Sequence, residues 1–204
     1  MKNSFLVKAL GSVAVLGAAA SVAGLGTFAS FTSSTSASQS IGSGAVSMSL
    51  GATGAVTNRL TVNATNIVPG DTIQRTADVI NASSDPLGSV SLTTSASPTS
   101  LLDSDVTNGL QMTITECSVP WTESGTSPAF TYSCSGTTTT PVTSRAVIGS
   151  NISLTGLNVL SSATGTDHLR VTLTLPASAG NSFQSLSSTI SYAFTGTQRT
   201  ATNK

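Results

Sequence analysis

His168 is the only histidine of the chain, and it directly follows Asp167. A Ser-His-Asp triad would need this histidine between a serine and a carboxylate. On a strand, however, Asp167 would point to the face opposite to His168. On the same strand, His168 would lie on one face with the polar residues Arg170, Thr172 and Thr174. We therefore expect a solvent-facing strand histidine rather than a catalytic base.

Motifs of hydrolytic and phosphate-binding enzymes are absent from the sequence. It contains no G-x-S-x-G, no H-E-x-x-H and no Gly-rich phosphate loop. A catalytic zinc ion needs two or three nitrogen or carboxylate ligands close together, and one histidine cannot supply them. The sequence predicts that the protein is not an enzyme and that it uses no metal and no cofactor.

Residues 103–108 (DSDVTN) space oxygen ligands somewhat as a calcium loop does. The segment lacks the later bidentate Glu and the mid-loop Gly of such loops. A capped turn is the interpretation that we favour over a calcium site.

The two cysteines, Cys117 and Cys134, are isolated from any other cysteine or clustered histidine. In an exported protein such a pair favours a disulfide, and two unrelated buried thiols are the alternative. Trp121 lies inside the loop between them, directly after Pro120. We expect it to pack over the disulfide, the alternative being an exposed adhesive aromatic.

Residues 1–29 have the pattern of a secretory signal. Lys2 and Lys8 give a positive start, residues 9–26 form an apolar run, and residues 27–29 (TFA) form a small-x-small processing site. Cleavage is predicted between Ala29 and Ser30. An uncleaved transmembrane anchor is the alternative, but the run is at the lower edge of what spans a bilayer.

Residues 30–44 (SFTSSTSASQSIGSG) predict a flexible N-terminal arm, because they hold little that could be buried. Phe31 and Ile41 are the only large apolar residues of the arm, and they are its candidate assembly contacts. From residue 45 onward apolar residues alternate with polar ones, a pattern typical of strands with one dry and one wet face. The alternating apolar residues are Val46, Met48, Leu50, Leu60, Val62, Val90, Leu92, Leu110, Met112, Ile114, Phe130, Tyr132, Leu169, Val171, Leu173, Leu175, Ile190, Tyr192 and Phe194.

Turn signals separate these runs, and no stretch sustains a helical period over three turns. Short helical turns are expected only near residues 99–105 or 183–187. Seven or more such strands must close against each other. The fold class predicted for residues 45–204 is therefore all-β, a jelly-roll-like antiparallel β-sandwich preceded by the signal peptide and the arm.

Charge is scarce, at 8% of residues against a usual level of about 25%. Without the leader the chain has six basic and eight acidic groups. No basic patch is present, so nucleic-acid binding is not expected. A surface with so little charge repels copies of itself only weakly, which favours association.

Several segments together resemble the TasA/camelysin family. Residues 26–31 (GTFASF) are similar to the signal junction of the family, and residues 44–50 (GAVSMSL) to its first mature strand. Residues 66–71 (NIVPGD) with 73–81 look like its "PGD…N" turn and strand. Residues 175–184 (LPASAGNSFQ) and 194–198 (FTGTQ) resemble its "LP…AGN-x-x-Q" segment and closing strand.

The resemblance implies a jelly-roll domain, processing by a SipW-type signal peptidase, and a secreted, extracellular or cell-surface role in biofilm-matrix fibres. In such fibres the N-terminal arm of one subunit completes a sheet of the next, so the partner would be a second copy of this chain. A monomeric adhesion or carbohydrate-binding module is the alternative, and a camelysin-type metalloprotease is a further one. Membrane contact is expected only through an uncleaved signal peptide. The loop between the cysteines is a departure from the best-known family members.

Overall fold

A computed structural model describes residues 46–61, 63 and 66–202 of the chain. The predicted signal peptide (1–29) with its Ala29–Ser30 cleavage site lies outside these residues, as does the arm (30–44) with Phe31 and Ile41. Ten strands and one short helix make up the described part. The strands are β1 (Met48–Leu50), β2 (Thr72–Asn81), β3 (Leu87–Ala96), β4 (Gln111–Cys117), β5 (Thr122–Thr126), β6 (Ala129–Ser133), β7 (Thr138–Ala146), β8 (Gly149–Leu154), β9 (Thr166–Thr174) and β10 (Ile190–Gln198). The helix is α1 (Leu101–Ser104), and 3₁₀ turns span Asn158–Leu160 and Asn181–Phe183.

The strands form two sheets and a separate hairpin. The large sheet has the order β1-β2-β9-β4-β7, and the small sheet has the order β10-β3-β8. Strands β5 and β6 pair only with each other. Every strand pair is antiparallel. The all-β sandwich expected from the sequence is confirmed.

The core lies between the two sheets and is built by the alternation seen in the sequence. On the large sheet the inward side chains of β4 and β9 are fully or almost fully buried, and on the small sheet so are those of β3 and β8. These residues are Met112, Ile114, Leu169, Val171, Leu173, Val90, Leu92, Ile152 and Leu154. Burying each large aliphatic side chain contributes about 1.5–3 kcal/mol relative to leaving it exposed.

Residues 99–108 form the capped turn that the sequence favoured over a calcium loop. The Ser100 hydroxyl accepts from the Leu102 amide, and the Asp103 carboxylate accepts from the Ser100 amide. Asp105 closes the next turn by accepting from the amides of Thr107 and Asn108. Both carboxylates are thus used to hold backbone N–H groups, as capping residues do.

One predicted strand is wrong, and four strands were not predicted from alternation. Leu60 lies in a turn that follows a single β-bridge between Asn58 and Ala77, and it packs against the core from there. Two alternating residues were too few to distinguish a strand from this packed turn; the second of them, Val62, lies outside the described residues. Strands β5 and β7 were missed because Ser and Thr fill most of their positions, and β8 was missed because only Ile152 and Leu154 alternate in it. Strand β2 was indicated only by the family resemblance. In the part that is described, no helix is long and apolar enough to cross a membrane.

Candidate functional site

The two cysteines lie side by side at one end of the large sheet. Cys117 ends β4 and is fully buried, and it forms a disulfide with Cys134, the two Cα atoms being 5.8 Å apart. The loop that it closes contains β5 and β6. We call residues 117–134 the disulfide hairpin. It folds over the outer face of the large sheet, with β6 in contact with β2.

Trp121 fastens the disulfide hairpin to the sheet. Its side chain packs with Cys117 and Tyr132, and only 6% of the residue is exposed. The indole Nε1 donates a 2.8 Å hydrogen bond to the backbone oxygen of His168. The Arg170 guanidinium lies 4.4 Å from the centre of the indole ring, within the range of a cation–π contact. Packing over the disulfide is therefore confirmed, and the exposed adhesive aromatic is excluded.

His168 lies beneath this cover, so the prediction that it faces solvent is wrong. Its side chain is 15% exposed, and its Nδ1 lies 2.8 Å from Oδ1 of Asp78 on the neighbouring strand β2. The alternation was read correctly, because Asp167 does point to the opposite face and is fully buried. The error came from treating the outer face of β9 as wet, although the disulfide hairpin covers it.

A second set of contacts holds strands β5 and β6 of the disulfide hairpin near its disulfide-bonded end. Arg59 binds Glu123 through two hydrogen bonds, of 2.6 and 2.8 Å, and the Tyr132 hydroxyl donates to the same carboxylate at 2.9 Å. The Arg59 guanidinium also lies 4.6 Å from the centre of the Phe130 ring. The hydrogen bond from Arg59 holds the pKa of Glu123 below its usual range, although partial burial opposes the shift. The loop before β2 is in this way bound to β5 and β6.

Two carboxylates lie inside the sandwich at the same end. Asp167 accepts from the amides of Asn158 and Val159, at 2.5 and 3.0 Å. Glu116 accepts from the Thr139 hydroxyl at 2.8 Å and from the Asn158 side chain at 3.3 Å. Burial raises the pKa of Glu116, and the neighbouring Asp167 carboxylate adds to the effect. The pair caps the core and fixes the 3₁₀ turn that starts at Asn158.

Sequence reasoning overlooked Glu116, although a signal was present. Glu116 continues the inward parity of Met112 and Ile114 on β4, so a charged residue stands where the pattern calls for an apolar one. Arg59 and Glu123 gave no such signal, because they lie 64 positions apart in the chain.

The described donor set does not form a metal site. No three His, Cys, Asp or Glu side chains within residues 46–61, 63 and 66–202 are grouped so that they could hold a metal ion. The one histidine is engaged with Asp78, and both cysteines are in the disulfide. The carboxylates of Asp103, Asp105 and Asp167 bind backbone amides.

A groove borders the start of β2. It has a volume of about 250 Å³ and lies between the loop before β2 and the tip of the disulfide hairpin. Its lining includes Asp71, Gln74 and Arg75 on one side and Pro128 and Phe130 on the other. The groove is open to solvent, and its lining contains both polar and apolar side chains.

The outer edges of the two sheets are formed by β1, β7, β8 and β10. Strand β1 has three residues, β8 has six, and β7 and β10 have nine each. Arg145 is the only charged residue in these four strands. Edge strands of soluble proteins are commonly guarded by charged residues, which these edges largely lack.

Comparisons with known proteins give one informative result. No curated protein matches the sequence. One family, described as camelysin metallo-endopeptidase, matches residues 6–119, which is more than half of the chain. The match agrees with the resemblance carried by residues 26–31, 44–50 and 66–81. The chain is therefore a member of the camelysin metallo-endopeptidase family.

Proposed function

We propose that this chain is an exported structural subunit of extracellular or cell-surface fibres, which assembles by β-strand donation between copies. The observation that carries the proposal is the near absence of charge on the four edge strands, where Arg145 is the only charged residue. Unpaired strand edges without charge are templates for pairing with another chain. In this protein such pairing would be its function.

The donor in this proposal is the arm, residues 30–44, with Phe31 and Ile41 as its apolar contacts. Cleavage between Ala29 and Ser30 by a SipW-type signal peptidase would free the arm. An arm that pairs with the next subunit makes a head-to-tail contact that does not close on itself. Contacts of this kind propagate a filament.

The domain itself supports a structural role better than a hydrolytic one. The family description implies a metal, yet no three of the described His, Cys, Asp or Glu side chains are grouped so that they could hold one. The donor set therefore does not fit that metal. A chelator-sensitive proteolytic activity of the pure protein would contradict a non-enzymatic role.

A monomeric binding module is the second candidate. The groove beside β2 is the observation that favours it, because Phe130 and the polar Gln74 and Asp71 could contact a sugar ring. The groove is small and open, and Arg59 already lies over the Phe130 ring. The unguarded edges therefore favour the fibre.

The decisive experiment compares residues 30–204 with a chain that starts at Gly44, by sedimentation and negative-stain microscopy. Incubation is near neutral pH without reductant, and circular dichroism checks that both chains fold. We expect filaments only from the longer chain. If both folded chains stay monomeric, the fibre proposal fails, and binding of oligosaccharides by the monomer becomes the question to test.

A further inference from the structure

We infer that the outer edge of β10 is the edge that accepts the arm of a second copy. This inference rests on the proposed fibre function and deepens it by naming the acceptor. It follows from a comparison of the four edges, from the burial of the β10 side chains, and from the place where the arm leaves the domain.

The first argument is that β10 is the only long and regular edge among the described strands. It runs for nine residues without proline or charge, and its pairing with β3 is regular up to Thr197. Strand β7 is interrupted by Pro141 and contains Arg145. In β8, Asn151 has a positive φ of 50°, and the register with β3 shifts nearby. Strand β1 has only three residues.

The backbone groups of β10 are also oriented for such pairing. The Ser97 amide donates to the Thr189 carbonyl at 3.0 Å, and these two residues continue the β3–β10 register by one position. Hydrogen-bonded and non-hydrogen-bonded pairs alternate along an antiparallel ladder. The N–H and C=O groups of Ile190, Tyr192, Phe194 and Gly196 therefore point away from β3, toward the open edge.

The second argument is that the core is incompletely covered along β10. Ile190, Tyr192 and Phe194 pack against the core, yet each residue as a whole stays partly exposed at this edge, although burial raises the pKa of the Tyr192 hydroxyl. Val90 and Leu92 on the neighbouring strand β3 are 1% and 0% exposed. The small sheet has three strands and the large sheet has five. A strand added at β10 would cover these three side chains, as β3 is covered by its two neighbours.

The third argument concerns the length and position of the arm. Nine residues of strand span about 30 Å, and the fifteen residues of the arm reach about 50 Å when fully extended. Phe31 and Ile41 are separated by an even number of positions, so on a strand both would point to the same face. One added strand could therefore direct both side chains toward the core while it runs along all of β10.

The same geometry favours a second copy over the arm of the same chain. The arm joins the domain at β1, where the Sδ of Met48 lies beside Gly196 near the C-terminal end of β10. An arm that lies along its own β10 and ends there would run parallel to it. Every described strand pair is antiparallel, and an arm from another copy is free to add in that sense.

The first test is hydrogen exchange on residues 30–204, comparing filaments with the soluble protein. We expect slower exchange in the filaments at the outward amides of Tyr192, Phe194 and Gly196, and unchanged exchange across β7 and β8. Filaments with protection gained at β7 or β8 instead would overturn the choice of β10 and leave the fibre function standing. Absence of filaments would overturn both.

The second test uses Phe194→Pro with Phe194→Val as its matched control. Proline removes an amide that points to the open edge, whereas valine shortens the side chain and keeps the amide. Mixed at one part in ten with wild-type protein, the folded Phe194→Pro chain should add through its own arm and then stop growth, so filaments become several-fold shorter. Phe194→Val changes the covered side chain but keeps the amide, so at the same ratio it should shorten the filaments much less than Phe194→Pro does. Equal lengths in both mixtures, with both variants folded by circular dichroism, would contradict the inference.

Discussion

The indole of Trp121 and the backbone of His168 are joined by a 2.8 Å hydrogen bond that ties the disulfide hairpin to the middle of the large sheet. The side chain that donates this bond also packs on the disulfide, so the disulfide hairpin is held to the sheet by the same residue in two ways. Three of the contacts that hold the disulfide hairpin on the sheet are the disulfide, the indole hydrogen bond and the Arg59–Glu123 pair. Each can be removed separately.

Replacing Trp121 should distinguish its hydrogen bond from its packing. Trp121→Phe removes the donor and keeps most of the ring, so we expect a loss of about 1 kcal/mol in the free energy of unfolding, with a small addition for lost volume. Trp121→Ala also leaves a cavity, and should cost about 3–5 kcal/mol. Urea unfolding measures both. Equal losses for the two variants would mean that the packing of the ring contributes nothing beyond the hydrogen bond, and no loss for Trp121→Phe would mean that the indole N–H contributes nothing.

Removing the disulfide should destabilise the domain by about 3 kcal/mol, because the loop that it closes is near the length for which chain entropy gives that value. The double variant Cys117→Ala with Cys134→Ala avoids a buried hydroxyl at the position of Cys117. Denaturant unfolding of this variant is compared with that of wild-type protein in reductant. The two should agree to within the cost of the missing sulfur atoms, and a variant as stable as the oxidised protein would contradict the prediction.

Glu116 should make stability fall as the pH rises. Burial raises its pKa, with Asp167 adding to the effect, so the folded state holds this proton more tightly than the unfolded state does. The stabilising contribution is complete below the unfolded pKa of about 4.3, and it is lost as the pH rises through the raised folded value. Glu116→Gln should flatten this dependence and increase stability near neutral pH.

The matched control for that experiment is Glu123→Gln, because the pKa of Glu123 is shifted in the opposite direction by its bond to Arg59. In wild-type protein this group stabilises above its unfolded pKa, and the effect is lost as the pH falls through the lowered value. The variant should therefore lose stability at neutral pH and little at low pH. Thermal unfolding from pH 3 to 8 gives both profiles. If stability changed with pH in the same way in both variants, the opposite pKa shifts of Glu116 and Glu123 would be contradicted.

The helix cap formed by Ser100 and Asp103 should stabilise the domain less at low pH. Burial opposes ionisation of Asp103, but hydrogen bonds from Ser188, Thr99 and the Ser100 amide lower its pKa on balance. Its contribution is therefore present above about pH 3.9 and is lost as the pH falls through the lowered value. Ser100→Ala should cost about 1 kcal/mol at neutral pH. Asp103→Asn should remove the acid-dependent part, which unfolding between pH 2 and 5 would reveal.

Sequence alternation predicted three of the strands that supply the core, β3, β4 and β9, because apolar residues such as Met112, Ile114, Leu169 and Val171 recur every second position. It did not predict β7 and β8, because β7 has Val142 as its only large apolar residue and β8 has only Ile152 and Leu154. The strand order could not be predicted either. Strands β2 and β9, for example, pair with each other although they lie nearly a hundred residues apart in the chain. The alternation along β9 correctly placed His168 and Asp167 on opposite faces of the sheet. It carries no information about whether another segment, here the disulfide hairpin, covers the outer face. The covering role of the disulfide hairpin therefore became visible only in three dimensions.

The disulfide that fixes this hairpin has a consequence for where the protein can mature. A reducing compartment does not sustain such a bond, so a precursor held there would keep the hairpin on its hydrogen bonds and packing alone. The layer over His168, Arg170 and Asp78 would then open more readily, since the cross-link between β4 and the end of β6 is missing. If the chain is exported as proposed, oxidation after translocation would close that layer. The cover of the large sheet would then be completed only outside the reducing compartment.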